Sequence, residues 1–281
     1  MTPPRPPLSF VAAAAWAIVA TLGFQVLAGL VASTRSSGGL DLVAGVACQA
    51  AVFLLVLYGV VWLHAPDLSL RAVTGLRWEG GVTTALAALS GALLTFPIDA
   101  IAEATDRRWP LAAAEREAQL HLLDASTDAR RVALVIAAAV VGPLVEELLF
   151  RGALYGGLRR AGHAAGISAV ALALFFAAAH EEPRYLVPLA LVGLALGHAR
   201  AVTGSLLPPL ALHVAFNARS VISDLWAPAS ADAPHVTPAR VALLGLGGAL
   251  AATAALHAWS RRSPAAAAAR ALDEAQPSPR P

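Results

Sequence analysis

Charge is scarce in this chain. Only 14% of its 281 residues are charged, while 58% are hydrophobic and the mean hydropathy is +0.66. A water-soluble domain carries about a quarter charged residues, so there is too little charge here to cover a water-facing surface, and lipid must be the solvent. Lysine is absent altogether. The basic residues are all arginine, scattered through short loops and the tail with no basic face and no interleaved aromatics. A net charge of +2 and a pI near 9.2 therefore leave no nucleic-acid footprint. Missing lysine beside abundant alanine reads as the mark of a GC-rich genome rather than a functional demand. Cysteine occurs once, at Cys48, which excludes an internal disulfide and a cysteine-based metal cage.

Long apolar runs fill the rest. A membrane-spanning helix needs about 20 mostly apolar residues, and the segments at about 8–33, 41–65, 81–102, 131–158, 163–180, 185–200, 205–225 and 239–259 meet or approach that length. The expected fold is all-α and polytopic, with about eight transmembrane helices. The first run, preceded only by Arg5, is longer than the roughly 7–15-residue core of a signal peptide and is read as a retained first span. The fourth is interrupted by charge, and the sixth and seventh are short and carry Pro188, Pro208 and Pro209. In lipid each segment must satisfy its own backbone, so helix remains the expectation for all three. The one long loop, about 103–129, reads as an interfacial or solvated helix. The proline-bearing segment after Trp259 reads as disordered. The domain expectation is a single transmembrane unit over 1–259 and a disordered tail over 260–281. Arginine bias places Arg5, Arg71, Arg77, Arg159, Arg160, Arg200, Arg261 and Arg262 on one side, against Arg35, Arg184 and Arg240 on the other. Both termini are then cytoplasmic.

Three clusters of polar residues interrupt these runs. Glu146 and Glu147 sit midway along the fourth, in VVGPLVEELLFRGALYGGL. One charge at the bilayer centre costs at least about 2.5–3.5 kcal/mol, and two adjacent carboxylates also repel. Arg151 follows Glu147 by four residues, one turn along the same face, and can pair with it. Glu146 points about 100° away and is left without that partner. His180 closes the fifth run, with Phe176 four residues earlier on the same face, able to stack on the imidazole. His213 and Asn217, again four apart, share a face of the seventh. An unpaired carboxylate, two imidazoles and an amide on neighbouring spans can converge on one water-filled intramembrane cavity. A glutamate and a histidine there can deprotonate a water, while a histidine and an amide can donate to a developing oxyanion. The same histidines and carboxylate also suit zinc.

Glu146-Glu147-x-x-x-Arg151, Phe176-x-x-x-His180 and His213-x-x-x-Asn217 resemble the three motifs of the CAAX-protease and bacteriocin-processing (Abi) family, whose eukaryotic relatives trim prenylated proteins. The resemblance covers about 131–220. It implies an intramembrane endopeptidase in which Glu146 and His180 activate the hydrolytic water. His213 and Asn217 would form the oxyanion hole or help ligate a metal. Glu147, Arg151 and Phe176 would support the site. It leaves two mechanisms open: a divalent metal such as zinc held by Glu146, His180 and His213, or a metal-free, glutamate-activated water.

Other intramembrane proteases do not fit. His180-Glu181-Glu182-Pro183-Arg184 lacks the second histidine of a zinc motif, Ala88-Leu89-Ser90-Gly91 lacks the first glycine of a rhomboid serine motif, and Gly38-Gly39-Leu40-Asp41 is not an aspartyl-protease motif. Gln25, Gln49 and Asp99 read as helix–helix hydrogen-bonding groups, and His198 and Arg200 as markers of the end of the sixth span. The expected protein is a multi-pass enzyme of a bacterial inner membrane, surrounded by lipid and acting on a peptide or small protein. The rivals are a non-catalytic peptide-binding or immunity factor and a proton-coupled transporter.

Overall fold

A computed structural model describes residues 6–35, 39–112, 115, 125–226 and 237–275. Within them the chain forms α1 (Phe10–Ser33), α2 (Leu42–His64), the short α3 (Leu70–Thr74), α4 (Gly81–Arg108), α5 (Asp128–Arg160), α6 (Ala165–Ala178), α7 (Leu186–Thr203), α8 (Leu207–Leu225), α9 (Ala239–Arg262) and α10 (Pro264–Ala275). No strand occurs among the described residues. The middle of the expected loop helix at 103–129 lies outside them; Glu103–Arg108 is the last turn and a half of α4.

Local chemistry sets the ends of these helices. Ser9, Asp41 and Ser69 each accept a backbone N–H of the first turn that follows, satisfying donors that have no intrahelical partner. The Ala44 amide and then the Arg35 guanidinium hold the Asp41 carboxyl below its ordinary range. Pro208 and Pro209 sit in the first turn of α8, where a missing N–H costs nothing.

Among the described residues six helices are long and apolar enough to cross a bilayer: α1, α2, α4, α5, α7 with the turn before it (Pro183–Thr203), and α9. Of the other two expected spans, α6 is apolar but only 14 residues long. α8 has 19 residues and carries His213, Asn217 and Arg219. The chain is thus a polytopic membrane protein. Val11 of α1 is 80% exposed and Leu244 of α9 76%, placing these faces against lipid.

Packing falls into two groups. Phe53 of α2, Leu149, Phe150 and Leu154 of α5, and Leu172 and Phe176 of α6 form one buried cluster, with α1 alongside. Ala87 and Ile98 of α4, Val192 and Leu196 of α7, Leu212 of α8 and Leu256 of α9 form the second. Gly91 lets α4 and α8 touch backbone to backbone, since a Cβ there would lie 2.1 Å from Leu212 O.

α5 is continuous over 33 residues, but its winding changes along the way. Ile136–Val141 and Leu148–Leu154 are π-helical, and the α-helical turn Gly142–Glu147 lies between them.

The expected disordered tail is corrected over Pro264–Ala275, which is helical. Alanine is the strongest helix former and the Ser263 hydroxyl caps the Ala266 amide. Tertiary bonds then hold α10 down. Arg270 donates to the carbonyls of Val202 and Ser260. Asp273 accepts from Arg200 at 2.6 Å and Arg77 at 3.2 Å. The Arg200 side chain is fully buried, and its Nε donates to Arg151 O, so it bridges α10 to α5. Residues 276–281 lie outside the described part.

Beside this cluster Glu79, 5% exposed, has two buried carboxyl oxygens with no hydrogen-bond partner. Burial pushes its carboxyl up to about 7. The nearby hydroxyls of Ser205 and Thr203 and the cations of Arg200 and Arg270 pull the other way without offsetting it; those hydroxyls donate instead to Arg77 O and Ala199 O.

Two outcomes follow from this corner. Asp273→Ala leaves Arg200 buried without its anion, a loss of about 3–5 kcal/mol, read as a lowered unfolding temperature in detergent; an unchanged Tm would show that α10 is not docked. Glu79 holds its proton more tightly folded than unfolded, so its penalty appears as pH rises past the unfolded value near 4.5 and is complete above about 7. Glu79→Gln should therefore stabilise the protein by up to about 3 kcal/mol at about pH 8 and hardly at all near pH 4, measured by thermal unfolding at the two pH values.

Candidate functional site

The site is built where the two apolar clusters meet. Glu147 of α5 is 0% exposed, and one of its oxygens, Oε1, receives two donors. Arg151 Nη1 donates at 2.9 Å from the next turn. His213 Nδ1, from α8, lies 3.0 Å away. A carboxylate can only accept, so this contact fixes the His213 tautomer with hydrogen on Nδ1. Arg151, 1% exposed, also donates to Gly193 O of α7 at 3.1 Å. Glu147 is therefore more than the counter-ion of Arg151, since it also orients the imidazole.

Glu146 points elsewhere, as the helical spacing requires, but it is not left without partners. Its Oε1 accepts from Gln49 Nε2 of α2 at 2.7 Å. Its Oε2 faces His213 Nε2 at 3.7 Å. That gap is too long for a direct hydrogen bond, yet short enough for one water to donate to both atoms. The Glu146 side chain is 11% exposed and that of His213 4%, so a water held there would be largely shielded from bulk.

Phe176 of α6 is the apolar hub. Its ring meets His180 edge-on at 4.6 Å, His213 at 5.8 Å and Phe150 at 5.6 Å between centroids. Arg151 Cζ lies 4.5 Å from the centre of the same ring, within cation–π range. The two imidazoles thus flank one phenyl ring. His180 is on the turn just after α6 and is exposed. Its Nδ1 is 2.8 Å from Phe176 O; a carbonyl only accepts, so Nδ1 carries the hydrogen and Nε2 keeps its lone pair. Glu181 beside it takes a left-handed φ of 55° and accepts from Gln25 of α1, which ties this turn to a neighbouring span.

Asn217 lies one turn beyond His213 and donates from Nδ2 to Ala138 O at 2.9 Å. That carbonyl belongs to the first π-helical stretch of α5. One amide hydrogen and the amide oxygen of Asn217 remain for other partners.

The other polar residues lie away from this centre. Asp99 pairs with Arg219 at 2.6 Å between α4 and α8. His198 stacks on His257 of α9, 5.5 Å between centroids. Gln49 is an interhelical hydrogen-bonding group as expected, but its partner is the candidate catalytic acid. Among the described residues no group of three or more His, Cys, Asp or Glu is spaced to hold a metal ion. The facing donors here are two, Glu146 Oε2 and His213 Nε2, one fewer than the three protein ligands of a catalytic zinc.

Residues 128–219 match the family model described as type II CAAX prenyl endopeptidase Rce1-like. The match runs from the start of α5 into α8 and so contains Glu146, Glu147, Arg151, Phe176, His180, His213 and Asn217, but not Gln49. No curated protein and no solved structure matches the chain.

Arg151→Met keeps the length of the side chain but strips Glu147 of its cation inside the bundle. The expected cost is about 3–5 kcal/mol, with a large fall in detergent Tm, whereas Glu146→Gln, whose partner Gln49 can turn its amide round, should unfold near the wild-type temperature. Equal stability of all three proteins would show that the Glu147–Arg151 pair is hydrated rather than buried.

Proposed function

We propose that this chain, whose residues 128–219 match the type II CAAX prenyl endopeptidase Rce1-like model, is a CAAX-protease-type endopeptidase that hydrolyses a peptide bond at or within the membrane. One observation carries the reading. Glu146 Oε2 and His213 Nε2, on two nearly buried side chains, face each other at 3.7 Å, with the tautomer of His213 set from behind by Glu147.

A water beside both atoms can lose its proton to Glu146 as its oxygen attacks the scissile carbonyl. Glu147 and Arg151 keep His213 oriented and supply charge behind it, the arrangement by which a carboxylate supports a histidine in other hydrolases. The free amide hydrogen of Asn217 is on the same face of α8 and can donate to the developing oxyanion. His180, with its Nε2 lone pair at the exposed end of α6, can accept a hydrogen bond from the water, and the proton taken up by Glu146 passes to the leaving amine as the peptide bond breaks. Phe176 fixes both imidazoles against its ring. The steps run through side chains and water because the donors that face each other number two. The substrate is a peptide or small protein presented in lipid, and the enzyme is placed in a bacterial inner membrane with both termini cytoplasmic.

The test is peptide cleavage by detergent-purified protein, wild type beside Glu146→Gln, His180→Ala and His213→Ala. Each variant should lose about two or more decades of rate while staying folded. Chelator-treated wild type should keep its rate within about twofold, and a loss restored by zinc would make Glu146 and His213 ligands instead. Cleavage that survives all three substitutions would overturn the endopeptidase site.

A further inference from the structure

We infer that Gln49 is the positioning residue for the catalytic acid: its amide holds one oxygen of Glu146 so that the other faces His213. The inference rests on the endopeptidase reading above. It concerns a helix, α2, that lies outside the segment matched by the family.

The geometry is specific at both ends. The Gln49 Nε2 to Glu146 Oε1 distance is 2.7 Å, within the range of a charge-assisted hydrogen bond. An ionised carboxylate only accepts, so the amide must present its nitrogen there. Its oxygen lies on the side of Gly142, where a Cβ would stand 3.8 Å from Gln49 Oε1. Gly142 sits one turn before Glu146, so the amide lies along the same face of α5 as the acid it holds.

The need for such a residue follows from what else touches Glu146. Arg151 and His213 Nδ1 are both committed to Glu147. His213 Nε2 is 3.7 Å away, too far to fix the carboxylate. The bond from Gln49 therefore supplies the restraint on χ3 that this nearly buried acid otherwise lacks. A base misplaced by about an ångström can cost about a hundredfold in rate, and groups that orient a reacting residue typically contribute about 10–100-fold.

Two variants separate positioning from mere packing. Gln49→Met has nearly the same length and volume but no donor. Gln49→His changes shape but puts an N–H at similar reach. A positioning role predicts that Gln49→Met loses about 10–100-fold in kcat with KM little changed, while Gln49→His recovers most of that loss. A packing role predicts the reverse order, with Met close to wild type and His impaired. Thermal unfolding of the single variants, Glu146→Met and the double variant Gln49→Met/Glu146→Met is measured alongside. The losses should fail to add, because both changes remove one contact. Cleavage by Gln49→Met within about twofold of wild type, or additive losses, overturns this inference and leaves the endopeptidase standing. A wild type that cleaves no peptide overturns the endopeptidase first, and the role of Gln49 in catalysis with it.

Discussion

Two glutamates side by side in the middle of an apolar helix cannot both stay ionised in lipid unless each meets a cation or a strong donor. The site is the solution to that constraint, and it is deliberately uneven. Glu147 receives Arg151 and His213 on a single oxygen and is wholly enclosed. Glu146 receives one neutral amide and looks across a gap at the far nitrogen of the same imidazole. One acid is neutralised by an ion pair and becomes structure. The other stays accessible to a water. His213 is shared between them, so the bond that stabilises the fold on one side of the ring also sets which nitrogen faces Glu146 on the other.

The winding of α5 explains how helices that do not carry the acids come to hold them. A π-helical turn shifts hydrogen bonds from i→i+4 to i→i+5, and such turns are frequent at functional sites. Two π stretches bracket the glutamates, Ile136–Val141 and Leu148–Leu154. A carbonyl in each accepts a side chain from another helix: Ala138 O takes Asn217 of α8, and Arg151 O takes Arg200 of α7. The Arg200 contact continues to Asp273 of α10. The helix that carries the acids is thus pinned on either side of them, once by Asn217 and once by a chain of bonds reaching the C-terminal helix.

The sequence disclosed more of the site than of its surroundings. Glu147 and Arg151 were legible because an i, i+4 spacing on a helix leaves few other partners, and the Phe176–His180 pair for the same reason. The grouping of three motifs came from family resemblance, which no spacing within one helix could have supplied. Gln49 reads from the sequence as an interhelical hydrogen-bonding group but not as a partner of Glu146, because nothing in the chain links it to a residue 97 positions away; only the crossing of α2 over α5 does so. Arg200 looked like a span terminus and is a fully buried bridge. The helix at Pro264–Ala275 is not legible because a small, polar and proline-bearing composition masks the helix propensity of alanine, and because Asp273 finds its cations only after the bundle has formed. The number of spans is not set by hydropathy alone, since α6 is short and α8 polar, and both are decided by what they pack against.

Between helices in lipid the hydrophobic effect offers little, because the solvent is as apolar as the side chains. Close contact at Gly91 and dispersion along the two clusters can bring α2, α5, α7 and α8 together, but an apolar surface of this kind tolerates a slip of one turn. Polar contacts do not. Gln49 to Glu146, His213 to Glu147, Asn217 to Ala138 O and Arg151 to Gly193 O each join a different pair of positions, and together they admit one register. The bonds that orient the candidate catalytic groups are then also the bonds that tell the helices where to stop. In a water-soluble enzyme a site can be altered on a scaffold that its apolar core maintains. Here truncating a polar side chain removes a candidate reactant and a register mark at once, so substitutions that keep shape and exchange a single atom or proton separate the chemistry from the fold more cleanly than truncations do.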